Sequence, residues 1–439
     1  MAASRICSRL VATDRYYGRS DGHYTRSVVH YSCSTVASHR GGSVREPLRS
    51  ASGTRTGIVT RYEGFGMATA IVVGGGIGGT AVALGLIERG WSVRVLERAA
   101  RYTEVGAGIS LWPNALRALD ALGVGEAVRA QGLDDVSAGI RDERGRWLSR
   151  TDVATMRRRF GAPVMIHRAA LLEILRGALP EGVVETGVSV DRVDPDGTVV
   201  HSAGSGRGMG QVSSTADLVV GADGIRSVVR RAVCGEVAPR YAGYTVWRAV
   251  VGIAEPLTEF GETWGRGARF GMAPLPDGRI YCFAVYDAEE GACGSFADVR
   301  ARFAAWHHPI PALLAAADPN TVLHNDIYEL PALSTFTAGR LALLGDAAHA
   351  MTPNLGQGGC QALEDAVVLS RLAGTTDGLR RYDCERRPRT QMIARRSGAI
   401  GVVAQLSARP LVAVRDAALR MTPAGAQFRS LGKVLDWAP

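Results

Sequence analysis

At 439 residues and 46% hydrophobic content, the chain is long enough to bury a full core as two domains, or as one domain with a large insertion. No uninterrupted apolar run reaches the roughly 18 residues a spanning helix needs, and the seven cysteines form no C-x-x-C pair, which argues against stable membrane insertion, a zinc site or a disulfide framework and suits a reducing, cytoplasmic setting. The net charge of +9 does not point to nucleic acid: residues 1–66 hold ten arginines against Asp14, Asp21, Glu46 and Glu63, which leaves an ordinary +3 for the rest.

In chain order, residues 1–66 are rich in Ser, Arg and Gly without helical or strand period, and are expected to be a disordered or non-native extension. An Arg- and Ser-rich, acid-poor leader is the composition of an organellar transit peptide, but the amphipathic spacing is missing. Met67 stands where a compact fold begins, so it is the expected functional start. Next comes Thr69 to Gly79, TAIVVGGGIGG, an apolar run that reads as a buried strand and ends in a glycine cluster. Gly74, Gly76 and Gly79 have the G-x-G-x-x-G spacing, and AVALGLIERG after them has the apolar content of a helix. Gly74 permits the tight turn, Gly76 a close approach to a pyrophosphate, and Gly79 close helix-sheet packing, while the helix N-terminus offers free N–H groups to the anion. A second strand from Ser92 to Leu96 leads into Glu97, eighteen positions after Gly79, where an acid can accept hydrogen bonds from a ribose diol. A dinucleotide site follows from that combination.

Beyond it, RYTEVGAGISLWPNALRALDALGVGEAVRAQG reads as loop then helix, and Val136 to Thr155 as a hairpin outside the nucleotide domain. IHRAALLEILRGAL restores helix. Short strands follow around Val183 to Val200, then a Gly/Ser-rich tip at Ser202 to Gly210 and a strand from Asp217 to Val220. Residues 236–333 carry aromatic and β-branched runs, YAGYTVWRAVV and RIYCFAVYD, between Gly/Pro turns, the pattern of an inserted β domain. A strand from Arg340 to Leu344, a Pro/Gly loop and the helix CQALEDAVVLSRLA return to the nucleotide domain, and a helical tail follows Gly398. The expected fold class is α/β: a Rossmann-like domain made of residues 67–135, 164–235 and 334–400, a mainly β substrate domain made of 136–163 and 236–333, and a helical tail over 401–439.

Two further segments narrow the chemistry. In DLVVGADGIRSVVR a buried strand ends at Gly221 and turns through Asp223-Gly224, and in LALLGDAAHAMTPNLGQGGCQALEDAVVL a strand ends at Gly345-Asp346. With the first fingerprint and Arg168, these resemble the three signatures of the group A FAD-dependent monooxygenases, the para-hydroxybenzoate hydroxylase fold, over roughly residues 67–400. The resemblance implies non-covalent FAD. Asp346 would accept a hydrogen bond from a ribityl hydroxyl, and Arg168 and Asp223 would sit near the pyrophosphate. Leu355, Gly356, Gln357, Gly358 and Gly359 would open a helix towards the flavin, whose reduced form its dipole stabilises. Ile77, Gly78, Arg98, Ser110 and Val190 are the remaining cofactor-facing positions it implies. The absence of a second G-x-G-x-x-G after a strand fits a transient NADH or NADPH that reduces the flavin and leaves, after which O2 gives a C4a-hydroperoxide that oxygenates the substrate.

For the substrate, Arg269 and Tyr281 fall where short aromatic and urate hydroxylases of this family place an anion-holding Arg and a Tyr that assists deprotonation. Tyr244 and Trp247 are further pocket candidates. His349 is expected to fix the loop around Pro353, and His307-His308 to be a solvated pair, since no third metal ligand lies at usable spacing. The expected activity is hydroxylation of a small aromatic or heteroaromatic compound. Epoxidation of an apolar polyene, suggested by the NLGQGGC wording, and a non-oxygenating FAD protein remain open at this point.

Overall fold

The computed structural model describes residues 67–102, 107–133, 137–202, 210–253, 257, 259–423 and 431–439. The expectations for residues 1–66, and for most of the tip between Ser202 and Gly210, lie outside the described residues.

The chain begins β1 (Thr69–Val73), α1 (Ile77–Ile87), β2 (Ser92–Glu97), β3 (Gly108–Leu111), α2 (Pro113–Ala121) and α3 (Gly125–Ala130). A hairpin of β4 (Ser137–Asp142) and β5 (Trp147–Arg150) leads to α4 (Val153–Phe160), β6 (Val164–His167) and α5 (Arg168–Gly177). Then come β7 (Val184–Thr186), β8 (Val190–Val193), β9 (Thr198–Ser202), β10 (Gln211–Thr215), β11 (Leu218–Gly221) and α6 (Val228–Cys234). The long strands are β12 (Arg240–Val251), β13 (Glu259–Trp264), β14 (Ala268–Pro274) and β15 (Ile280–Asp287), followed by α7 (Phe296–Phe303), α8 (Ile310–Ala316) and β16 (Leu323–Glu329). The chain closes with β17 (Thr337–Ala338), β18 (Leu341–Leu343), α9 (Asp346–His349), α10 (Gly358–Leu372), α11 (Gly378–Ala404) and α12 (Arg409–Met421).

One sheet has the order β17-β18-β11-β1-β2-β7, and β1 pairs in parallel with both β2 and β11. A strand with parallel neighbours and helices on its faces is buried on both sides, so it reads as a continuous apolar run, as Ala70 to Val73 does. α1 is buried nearly all round, between this sheet and α10. A Cβ on Gly85 would stand 2.5 Å from the Ser370 hydroxyl, so the two helices approach as closely as they do because no side chain intervenes.

The second sheet runs β16-β12-β15-β14-β13-β4-β5, so the 137–150 hairpin extends the sheet built from residues 240–329. Its strands alternate. The face carrying Trp247, Ala249, Phe270, Met272 and Cys282 packs on α7 and α8, while the other carries Tyr244, Arg248, Arg269, Tyr281 and Phe283, in register through Arg248–Phe283 and Arg269–Val285. α11 continues through Gly398 to Ala404, so the boundary expected at residue 400 falls inside a helix. Gly401 is needed there for contact: a Cβ would lie 2.4 Å from the Asn354 amide nitrogen.

Candidate functional site

A cavity of about 550 Å³ opens at the ends of β1, β11 and β18. Two helix N-termini face it, those of α1 and α10, and neither has a side-chain cap or an acidic residue in its first turn. Their first N–H groups are therefore free to bind an anion. Gly74 adopts φ +102°, and a Cβ on Gly76 would meet nothing within 4 Å, so an added side chain there would project into open space beside the α1 N-terminus. Gly79 works differently: its Cβ would lie 1.9 Å from the Gly74 carbonyl oxygen, so it is required for helix-strand packing and does not line the cavity.

Glu97, at the end of β2, accepts from the Gly75 and Ala99 N–H groups, each at 2.7 Å, and lines the cavity with Arg98, Arg168 and Val190. Asp223 accepts through one oxygen from Val228 and Val229, while its other oxygen is buried without a partner. Burial raises its pKa against those hydrogen bonds. Asp346 lines the cavity too and is exposed. Free N–H groups at two helix ends, a glycine cradle and an orphaned carboxylate oxygen form the donor and acceptor set that a dinucleotide with polyhydroxy arms would satisfy, so these residues fit FAD.

Of the other expected cofactor positions, Ile77, Gly78, Gly358 and Gly359 line the cavity, and Ser110, Leu355, Gly356 and Gln357 do not. The Ser110 hydroxyl donates to the Met165 sulfur at 2.8 Å. The Gln357 side chain turns into the protein, where its carbonyl accepts from Asn114 and Gln361, each at 3.0 Å. Only its backbone can serve a ligand.

Beneath α10 lies a buried charge network that sequence reading did not find. Asp365 accepts from the Gly345 N–H at 3.0 Å, from His349 Nε2 at 2.6 Å and from Arg386 Nε at 2.7 Å, while Glu364 takes Arg386 Nη1 at 2.6 Å and Arg389 Nε at 2.7 Å. Burial alone pushes the Asp365 carboxyl up, but His349 and Arg386 outweigh it and hold it at about 2. His349 thus ties the Gly345-Asp346 turn to α10, whereas the loop around Pro353, which it was expected to fix, is held by Asn354 donating to Thr352 at 2.9 Å and to the Ser397 carbonyl at 2.8 Å. The i, i+1 pair Glu364-Asp365 on a helix with apolar neighbours was the available signal, since buried acids need buried partners.

Across β3 from the start of α10 stands the second sheet. A Cβ on Gly359 would lie 2.9 Å from Ile109 on one side of β3, and one on Gly108 would lie 3.0 Å from the Tyr281 ring on the other. Tyr281 neighbours Phe283, with ring centroids 5.8 Å apart; burial raises its pKa while Arg248 and Arg168 lower it. Arg269, 2% exposed, donates to the Asn354 side-chain carbonyl, stands 3.5 Å from Glu262 and lies over the Tyr244 ring at 5.4 Å. Its Nε has no partner. Arg269 and Tyr244 are thus brought together with Asn354, and Tyr281 faces the same side from further along the sheet. Phe283 and Glu262 share that face and were missed, although Phe283 follows Tyr281 by two positions and strand alternation puts both on one side.

Two expectations are corrected. Trp247 lies on the opposite face, stacked on His324 at 4.1 Å and donating to the Tyr286 hydroxyl, because it is an odd number of positions from Tyr244 in a regular strand. His307 is not solvated: it is half-buried, with Nε2 2.8 Å from the Thr263 hydroxyl, and burial lowers its pKa. Among the described residues no cluster of metal-ligating side chains occurs. A further cavity of about 740 Å³ shares the Tyr244 wall and lies against α9 and α11.

The model of the FAD binding domain family matches residues 67–397. The chain is 38% identical to the aurachin C monooxygenase/isomerase of Stigmatella aurantiaca over 80% of its length and 94% of that protein's. It is 35% identical to the 3-amino-4-hydroxybenzoate 2-monooxygenase of Streptomyces cremeus over 80% and 91%. Among solved structures, Klebsiella pneumoniae HpxO with FAD and uric acid superimposes with a TM-score of 0.77 at 31% identity, covering 85% of this chain and 97% of that one.

Proposed function

Because the chain belongs to the FAD binding domain family, within the group A flavoprotein hydroxylases, we propose that it uses NAD(P)H and O2 to hydroxylate a small aromatic or heteroaromatic compound. The balance is substrate–H plus O2 plus NAD(P)H plus H⁺ to substrate–OH, NAD(P)⁺ and water. FAD bound in the cavity lined by Gly76, Glu97, Asp346 and Gly358 would supply the redox chemistry, hydride acceptance from the nicotinamide and activation of oxygen.

The chain's own residues bind and orient. The α1 N-terminus and the Gly74–Gly76 turn take the pyrophosphate, Glu97 a ribose, and Asp346 a ribityl hydroxyl. The α10 N-terminus, held against the core by Asp365 and Arg386, directs its dipole at the flavin. The observation that carries the substrate reading is the sheet face opposite β3. Arg269 pairs with Val285, four positions after Tyr281 on the neighbouring strand, so the two Cα atoms lie roughly 14 Å apart. Phe283 lies between them on the same face, so this wall presents a cation at one end, a phenol at the other and an aromatic ring in the middle. Arg269 holds an anionic or carbonyl group there. Tyr281, kept neutral by burial, hydrogen-bonds the ring oxygen or nitrogen and relays its proton.

The test is NAD(P)H consumption followed together with oxygen uptake and hydrogen peroxide, across phenolic acids, hydroxyquinolines, aminohydroxybenzoates and urate. A compound that accelerates NAD(P)H oxidation without matching peroxide is a substrate. If FAD is bound but no nicotinamide cofactor reduces it with any compound present, the oxygenase reading fails.

A further inference from the structure

Helix α12 is turned the wrong way round for a surface helix. Its one buried residue is Arg415, 4% exposed, which donates from Nη1 to the carbonyls of Gly265 at 3.0 Å and Ala404 at 3.2 Å. Its exposed positions include Leu411, Ala413, Val414, Ala417, Ala418 and Met421. Leu411 is 52% exposed, Val414 67% and Met421 76%, and Val402 at the end of α11 is 71% exposed. A soluble helix ordinarily shows water its polar side, so a continuous apolar stripe facing outward marks a surface that something else covers.

Charge selects the occupant. Arg409 and Arg420 stand at the two ends of the helix, and Arg150 is exposed on β5, the edge strand against which α12 packs. The helix has one acid, Asp416, and it is paired with Arg415 at 2.9 Å. Arg420 approaches Asp142 at 3.4 Å, a carboxylate that Arg146 already holds at 2.8 Å. A second copy laid on this stripe would oppose arginine to arginine in parallel or antiparallel alignment, with no free carboxylate on the helix to pair them. An anionic lipid surface offers apolar depth for the stripe and negative charge for its rim. At 13 residues α12 is too short to cross a bilayer by itself, so it would lie in the plane of the headgroups.

We propose that α12 docks this protein peripherally on anionic lipid bilayers. The experiment is co-sedimentation of the full, FAD-loaded chain with phosphatidylcholine vesicles, with and without phosphatidylglycerol. The chain is expected to sediment with the anionic vesicles and to be released by high salt. Leu411→Glu with Val414→Glu should weaken that partition at least about tenfold, and Arg409→Gln should weaken it less, with flavin content and melting temperature unchanged in both. Three results overturn the proposal. One is no sedimentation of the parent chain. Another is equal sedimentation of the Glu variant, which would assign binding to another region such as the arginine-rich first 66 residues. The third is a vesicle-free doubling of mass by light scattering that the Glu variant abolishes, which would make the stripe a contact between copies.

Discussion

Asp365→Asn tests whether the buried network under α10 holds the cofactor turn in place. The carboxylate is fully buried and accepts from Gly345, His349 and Arg386, so removing its charge leaves Arg386 with Glu364 as its one carboxylate partner and His349 without its anion. The fall from 3.8 to about 2 corresponds to roughly 2 kcal/mol favouring the ionised form in the folded protein. Breaking a buried pair by altering one partner costs about 3–5 kcal/mol. The expected loss is therefore about 3 kcal/mol at neutral pH, read as a lower urea midpoint, with weaker FAD retention because the Gly345-Asp346 turn loosens. The pH dependence has a definite sign. The folded carboxyl titrates below its unfolded value, so its contribution is complete above about pH 4 and lost as pH falls through about 2. The difference between parent and variant should narrow across that window. Equal midpoints at neutral pH, or a difference that stays constant down to the acid limit, would refute the reasoning.

Other expectations concern the cofactor and the ring site. Gly76→Ile places a branched side chain in the space beside the α1 N-terminus and should give folded protein without flavin, checked by the absorbance of the purified sample against its circular dichroism. Asp346→Ala removes one charged acceptor and should weaken FAD binding about ten- to a hundredfold, measured by flavin fluorescence quenching. Tyr281→Phe keeps the ring against Gly108 and removes the hydroxyl. It should leave FAD affinity unchanged while lowering kcat at least about tenfold and altering the alkaline limb of the pH profile.

Much of the nucleotide half was legible because its signals are local. A parallel strand buried on both faces must be apolar throughout, a tight strand-helix turn demands glycine, and an anion site demands an uncapped helix end, so TAIVVGGGIGG declares strand, turn and site within a dozen residues. Alternation along β12 and β15 was equally present in the sequence, and the separation of Trp247 from Tyr244 follows from parity once the strand is regular. What local pattern cannot supply is the identity of long-range partners. Asp365 finds Arg386, Arg269 finds Asn354, and α11 runs past Gly398 so that Gly401 can press on Asn354. Those pairings join residues up to 85 positions apart, and each is decided by which faces the two sheets and α11 present to one another. The sequence by itself determined the cofactor class, because that chemistry is written in backbone turns. Only the tertiary structure decided which side chains meet at the ring site, and that α12 turns its apolar side to the outside.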